Sequence, residues 1–230
     1  MFEPTGITFW HIADELRGGT RVAILVRHAE RPPLPANDLT FGRDLPLTER
    51  GDQDATRFGR ELRLFACMEQ MTIAAGGNRR CMETAFHILE GVGLDMEDDH
   101  CAVLADPYLG SRAFYFGDVA ARMELANAGN YLESLNAYFT CGRQKGFNDL
   151  HPSTSHLAGH LLNHYDAPLF IGVTHDLNVA CFLAGNGTVA SFTEQSWPGF
   201  LDAAVLFIQP DFSTTCRLLR FSTILPNTRH

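Results

Sequence analysis

The sequence has no C-x-x-C pair, no uninterrupted apolar run of about 18 residues, no internal repeat, no low-complexity tract and no linker. Each absence closes off a class of protein. Without an apolar run of about 18 residues, no membrane-spanning helix is expected. The opening segment MFEPTGITFW carries Glu3 where a secretory leader needs positive charge, and no apolar core follows. No signal peptide is therefore expected, and the chain reads as cytoplasmic. Six cysteines (Cys67, Cys81, Cys101, Cys141, Cys181 and Cys216) are scattered through a chain too long to need disulfide staples, so free thiols in packed surroundings are expected. Positive charge is scarce as well. Against 27 Asp and Glu there are 18 Lys and Arg, a net charge of −9, which argues against affinity for nucleic acid or anionic membrane.

What is present is ordinary globular material: 45% hydrophobic and 20% charged over 230 residues, enough for one domain spanning 1–230. VAILV (22–26), MTIAAG (71–76) and PLFIGVT (168–174) are short apolar runs that suit strands covered on both faces. DAAVLFIQ (202–209) and CRLLRF (216–221) suit a hairpin across PDFSTT, and CAVLADP (101–107) is a further short candidate. Between them lie helical patterns. After Thr48, a plausible N-cap, Ala55, Phe58, Leu62 and Phe65 recur at three- and four-residue steps. RCMETAFHILEG (80–91) is apolar on one face and is expected to stop at Gly91. DVAARMELANAGNYLESLNAYF (118–139) reads as one or two helices broken near Gly129, and STSHLAGHLLNHY (153–165) as another with Leu157, Leu161 and Leu162 inward. The alternation predicts an α/β three-layer α/β/α sandwich on a mostly parallel central sheet, with residues 107–150 forming a partial lid.

Chemistry-bearing residues follow three of the strands: RHAERPP after the first, GGNRRCMETA after the second, THDLNVA after the strand at 168–174. In open α/β sheets ligands bind where the carboxyl ends of strands meet helix N-termini. That rule would bring Arg27, His28, Arg31, Arg79 or Arg80, His175 and Asp176 to one rim. An acidic protein that gathers arginines at one place is built to hold an anion there.

These motifs resemble the histidine phosphatase superfamily, whose members are phosphoglycerate-mutase-like or acid-phosphatase-like. RHAERPP is similar to the acid-phosphatase branch's R-H-G-x-R-x-P through Arg27, His28, Arg31 and Pro33, with Ala29 in place of glycine. LPLTERG resembles the L-T-x-x-G helix start, RRCMETA resembles R-x-x-[QE]-T-A and picks out Arg80 over Arg79, and THDLN is similar to H-D-T-N. The resemblance covers roughly residues 20–90 and 168–185. It implies a phosphoglycerate-mutase-like fold and a phosphatase that hydrolyses a small-molecule phosphate monoester, with no cofactor and no metal. His28 would be the nucleophile of a phosphohistidine intermediate, and Arg27, Arg31, Arg80 and His175 would bind the phosphoryl oxygens. In the mutase-like branch a Glu protonates the leaving group; its position falls on Ala113 in GSRAFYFGD. The acid-phosphatase branch uses the Asp after the second His, here Asp176, which would serve as general acid and then as base.

Competing readings stand beside these. Asp176 could cap the helix that follows. Glu30 has no assigned role. His156, His160 and His164 share a helical face, which invites a metal, but successive turns diverge from one centre, so a solvated face is expected. Trp197, Pro198 and Phe200 are either core or a substrate-facing aromatic loop. A phosphomutase on the same site, or a non-catalytic phospholigand-binding protein, are the alternative functions.

Overall fold

The computed structural model describes residues 6–35, 40, 42–64, 71–93, 103–115, 124–125 and 129–221. In chain order its elements are α1 (Phe9–Arg17), β1 (Arg21–Arg27), α2 (Glu49–Arg63), β2 (Met71–Ala75), α3 (Arg79–Val92), β3 (Leu104–Ala105), an irregular turn at Tyr108–Arg112, α4 (Tyr131–Cys141), α5 (Leu150–His164), β4 (Leu169–Thr174), α6 (Asp176–Gly185), β5 (Ala203–Ile208) and β6 (Thr214–Leu219). The six strands form one sheet in the order β3-β2-β4-β1-β5-β6. β3, β2, β4 and β1 run parallel, and β5 runs antiparallel to both neighbours. This is the mostly parallel α/β arrangement expected.

Strand alternation sends side chains to two separate cores. Val22, Ile24 and Val26 pack with Phe58 and Leu62 of α2, Ile88 and Leu89 of α3 and Ile12 of α1, whereas Ala23 and Leu25 join Leu135 and Tyr138 of α4, Leu157 and Leu161 of α5 and Phe182 of α6. A sheet with helices on each face gives the three layers. Burial of β1 and β4 on both sides explains why they read as unbroken apolar runs.

Local signals fix most boundaries. Thr48 caps α2 by accepting the Gly51 amide at 3.0 Å. Gly51 lacks a Cβ where the Glu30 carbonyl approaches; one built there would lie 2.2 Å from that oxygen. The α3 stop is corrected: it falls at Gly93, in the left-handed region at φ 94°, and not at Gly91. Gly91 instead lets α2 approach, since a Cβ on it would lie 2.0 Å from the Thr56 carbonyl. Helix α1 was not anticipated; its inward residues Phe9, Ile12 and Ala13 are too few to stand out as a repeat. Of the predicted helix at 118–139, only 124–125 and 129–139 lie within the described residues, and Phe65, Cys67 and Cys101 lie outside them. Among the described residues no helix is long and apolar enough to cross a membrane.

The solvated histidine face needs the clearest correction. His156 is exposed, and the side chain of His164 lies outside the described set. His160, however, is turned against Asp106: its Nε2 lies 2.7 Å from Oδ2, with the two side chains 12% and 6% exposed. Tyr165 donates its hydroxyl to the same oxygen at 2.8 Å, and Tyr108 stacks on the imidazole at 4.5 Å. A carboxylate from a distant loop, invisible to helical periodicity, captures that histidine. This engagement removes it from any three-histidine metal ladder.

Candidate active site

Parallel register brings the three loops together. Arg27 lies opposite Thr174, and Ala75 opposite Val173, so β1, β4 and β2 end at one level. Immediately beyond, the His28 amide donates to the Thr174 carbonyl at 2.9 Å and the Gly76 amide to Val173 at 3.0 Å. α3 begins at Arg79 and α6 at Asp176, so two helix N-termini open on the same spot. The rings of His28 and His175 meet edge-to-face with centroids 5.5 Å apart.

His28 is 3% exposed. Its Nδ1 lies 2.8 Å from the Ala29 carbonyl and, facing an acceptor, carries the proton; its Nε2 receives the Arg80 Nε–H at 3.0 Å. Burial above all, then His175, Arg80 and Arg27, hold its pKa well below the ordinary value against the opposing Ala29 carbonyl. The ring is neutral, with its lone pair on Nε2. Thr84 fixes the loop behind it, accepting the Ala29 amide at 3.0 Å and donating to the Arg80 carbonyl at 2.7 Å. That contact is a physical reason for the Thr in the RCMETA segment.

Cations surround that lone pair. Arg80 donates through Nη1 to the Gly42 carbonyl, and its Nη2 lies 3.5 Å from His175 Nδ1. His175 Nε2 lies 3.2 Å from Asn78 Nδ2. The Arg27 guanidinium lies 4.2 Å over the Phe200 ring and donates to the Pro198 carbonyl at 2.6 Å. Phe200 in turn lies 5.8 Å from the His28 ring. The Nε atoms of Arg27 and Arg31 are buried without a hydrogen-bond partner. Burial, then Arg80 and Arg27, lower the pKa of Arg31 against Asp176, so these charges share one field. Unpaired buried guanidinium donors are costly and rare.

Asp176 occupies the open side, its side chain 37% exposed. Oδ1 accepts the Leu177 amide at 2.8 Å; Oδ2 accepts Trp197 Nε1–H at 3.3 Å and lies 3.4 Å from Arg27. Burial pushes its pKa up, but Arg27, Trp197, His175 and the Leu177 amide outweigh that and hold it below the usual carboxylate range. His175 takes the N-cap position, so one oxygen of Asp176 serves the helix and the other faces the arginine.

Several residues fall elsewhere. Arg79 pairs with Glu83 at 2.6 Å and is 56% exposed, which leaves Arg80 at the site. Glu30 accepts the Thr48 hydroxyl at 2.9 Å and so serves the start of α2. Ala113 is buried beside Phe114 and offers no carboxylate. Cys81 lies 3.9 Å from both nitrogens of His175, but burial pushes its thiol up to about 12, so it is packing. Asn78, Thr84, Asn178 and Trp197 had no functional assignment from sequence except Trp197 as a possible substrate-facing aromatic; Asn78 follows a Gly-Gly pair at a strand end, the one signal that pointed to it. Asn178 and Thr174 tie the 109–110 turn to the end of β4, Thr174 donating to the Leu109 carbonyl at 2.5 Å. Clefts of about 320 and 310 Å³ lie beyond that turn, lined by Tyr108 and His156 among others, and contain none of the residues around His28. Chemistry and not cavity size marks the site. Among the described residues no group of three or more His, Cys, Asp or Glu is placed to hold a metal.

Residues 23–101 match the family model of the histidine phosphatase superfamily (branch 1). A search of the curated proteins gives no match. Among solved structures, the fold is similar to a mycobacterial glucosyl-3-phosphoglycerate phosphatase, at 18% identity over 86% of this chain and 97% of that one, TM-score 0.55. It is similar to a candidate alpha-ribazole-5'-P phosphatase from Escherichia coli, at 18% identity over 87% and 96%, TM-score 0.52. It is also similar to a variant of the Entamoeba histolytica phosphoserine phosphatase in complex with phosphoserine, at 15% identity over 89% and 99%, TM-score 0.53. The family match spans the first two strand-end motifs, and the fold is similar to that of these solved phosphatases. Arg31, Pro33 and the His175–Asp176 pair resemble the acid-phosphatase branch, whereas the matched model is that of branch 1, and the pair lies beyond its residues.

Proposed function

We propose that this chain is a phosphatase that hydrolyses a small phosphate monoester through a phosphohistidine intermediate on His28. The observation that carries the reading is the neutral, buried His28 ring whose Nε2 faces Arg80, with unpaired Nε donors on Arg27 and Arg31 at the same site. An incoming phosphate supplies the acceptors those arginines lack, and their planar forks match its oxygens. As Arg80 turns from His28 Nε2 to a phosphoryl oxygen, the lone pair is freed. The Nε2–P bond forms while the P–O ester bond breaks, and charge spread over the remaining oxygens is met by Arg27, Arg31, Arg80 and His175.

Asp176 supplies the proton to the departing alkoxide. Before substrate binds it is a carboxylate, because Arg27 and Trp197 stabilise the ionised form. A phosphate dianion bound to Arg27 reverses that balance by placing negative charge beside it, so a proton is taken up with the substrate. In the second half-reaction water attacks phosphorus, Asp176 accepts its proton, the P–N bond breaks and inorganic phosphate leaves. The named structural neighbours are phosphatases, which supports the reading. A buried Ala113 at the mutase glutamate position gives the phosphomutase alternative no donor.

The test is turnover of p-nitrophenyl phosphate without added metal, with acid-labile phosphate trapped on the protein. His28→Ala should lose both, turnover by at least about a thousandfold. Undiminished turnover in that variant removes the nucleophile and the proposal with it.

A further inference from the structure

The active-site face carries a segment that none of its three strand-end motifs contains. Residues 196–202 run from a turn into β5, and they touch the site three times: Trp197 donates its indole N–H to Asp176, Pro198 accepts Arg27 Nη1, and the Phe200 ring lies under the Arg27 guanidinium. One residue in it, Leu201, is held in the left-handed region at φ 62° although it has a branched side chain and is 1% exposed. Such a conformation persists only where the surroundings over-determine it. Part of the constraint is backbone: the Leu201 amide donates to the Arg27 carbonyl at 3.2 Å, and the Arg27 amide to the Asp202 carbonyl at 2.9 Å.

The rest comes from one ion pair behind the segment. Arg220 Nη1 lies 2.6 Å from Asp202 Oδ2 and donates to the Trp197 carbonyl at 3.1 Å, while Nη2 donates to the Ser196 carbonyl. Asp202, whose side chain is 2% exposed, accepts the Gly199 amide at 2.8 Å on Oδ2 and the Phe221 amide at 2.9 Å on Oδ1. Between them the two side chains bond the backbone at Ser196, Trp197 and Gly199 and the Phe221 amide beyond β6. Neither side chain reaches His28, yet both fix where Trp197, Pro198 and Phe200 stand.

We infer that Arg220 and Asp202 are positioning residues of the active site, a clamp that sets the placement of Arg27 and Asp176 through the strained 196–202 segment. The inference rests on the phosphatase reading above. Misplacement of a reacting group by about 1 Å costs roughly a hundredfold in rate. Loosening the clamp therefore acts on chemistry as well as on folding. Asp176 is faced by Arg27 and Arg31 from β1 and its loop, by His175, by Cys181 within α6 and by Trp197. Withdrawing Trp197 and Arg27 moves its titration upward.

The test uses Arg220→Gln and Arg220→Lys in a Trp10→Phe background, which leaves Trp197 as the sole tryptophan of the chain. In Arg220→Gln, Trp197 emission should shift to the red, kcat for an alkyl phosphate should fall by about ten- to a hundredfold and for p-nitrophenyl phosphate by much less, and the pH limb that reports Asp176 should move up. Arg220→Lys, which can still reach Asp202 and one carbonyl, should recover part of each change, and it carries the same test alone if the glutamine variant does not fold. Parent protein that hydrolyses both esters, with an alkyl-to-aryl ratio and pH limb unmoved in both variants, overturns the clamp and spares the phosphatase. Parent protein that hydrolyses neither ester overturns the phosphatase reading and the clamp with it.

Discussion

Thr84→Val removes one oxygen from behind His28 and changes almost nothing else. Thr84 is fully buried, and valine has its shape, so no cavity opens. The Arg80 carbonyl loses the hydroxyl but keeps its place in the α3 ladder, whereas the Ala29 amide, 3.0 Å from the lost oxygen, has no replacement acceptor. Leaving a buried N–H unpaired costs about 1–3 kcal/mol. For a chain of this size that lowers Tm by roughly 2–12 °C. The same peptide segment presents the Ala29 carbonyl that fixes the tautomer of His28, so its displacement turns the Nε2 lone pair off the phosphorus. Urea unfolding and p-nitrophenyl phosphate kinetics should therefore show a loss in both stability and kcat, and Thr84→Ser, which keeps the hydroxyl, should restore most of kcat. A valine variant within about 0.5 kcal/mol of the parent and with full kcat would refute the reasoning.

Further outcomes follow from the same geometry. Asp176→Asn should slow alkyl phosphates by about a hundred- to ten-thousandfold and aryl phosphates far less, because an aryl oxide departs with little protonation; equal slowing in steady-state assays moves the acid elsewhere. Gly91→Ala should destabilise by about 1–3 kcal/mol in urea unfolding, since its methyl would press into the Thr56 carbonyl; an unchanged midpoint contradicts the close approach of α2 and α3. His28 resists protonation when folded, while its unfolded counterpart accepts a proton below about pH 6.5, so its contribution is intact above that pH and erodes as pH falls toward the depressed folded value. The stability of the parent relative to His28→Gln should fall by up to about 1.4 kcal/mol per pH unit below 6.5; a flat difference between pH 7 and 5 would show that the ring takes up its proton in place.

The strands were legible because each is short and bounded, and the convergence at the candidate site was legible because parallel register places the residues after β1, β2 and β4 at one edge. Arg27, His28, Arg80, His175 and Asp176 meet there, as strand order alone demanded once β4 lay between β1 and β2. Apart from α1, whose inward residues are too few to form a repeat, what escaped the sequence is pairing over long separations without periodicity. Asp106 takes His160 from a face that looked solvated, Glu30 caps no ligand but binds Thr48, and Arg220 holds a segment more than twenty residues away from its own position. Even the helix stop at Gly93 belongs to this group, because Gly91 signals an ending by type and is in fact required by a neighbour, α2. Residue type alone could nominate the groups that carry charge. Which of them is spent elsewhere and which meets His28 is decided by chain crossings, and for that reason Arg79 and Arg80, adjacent and chemically identical, end with one on the surface and one beside His28.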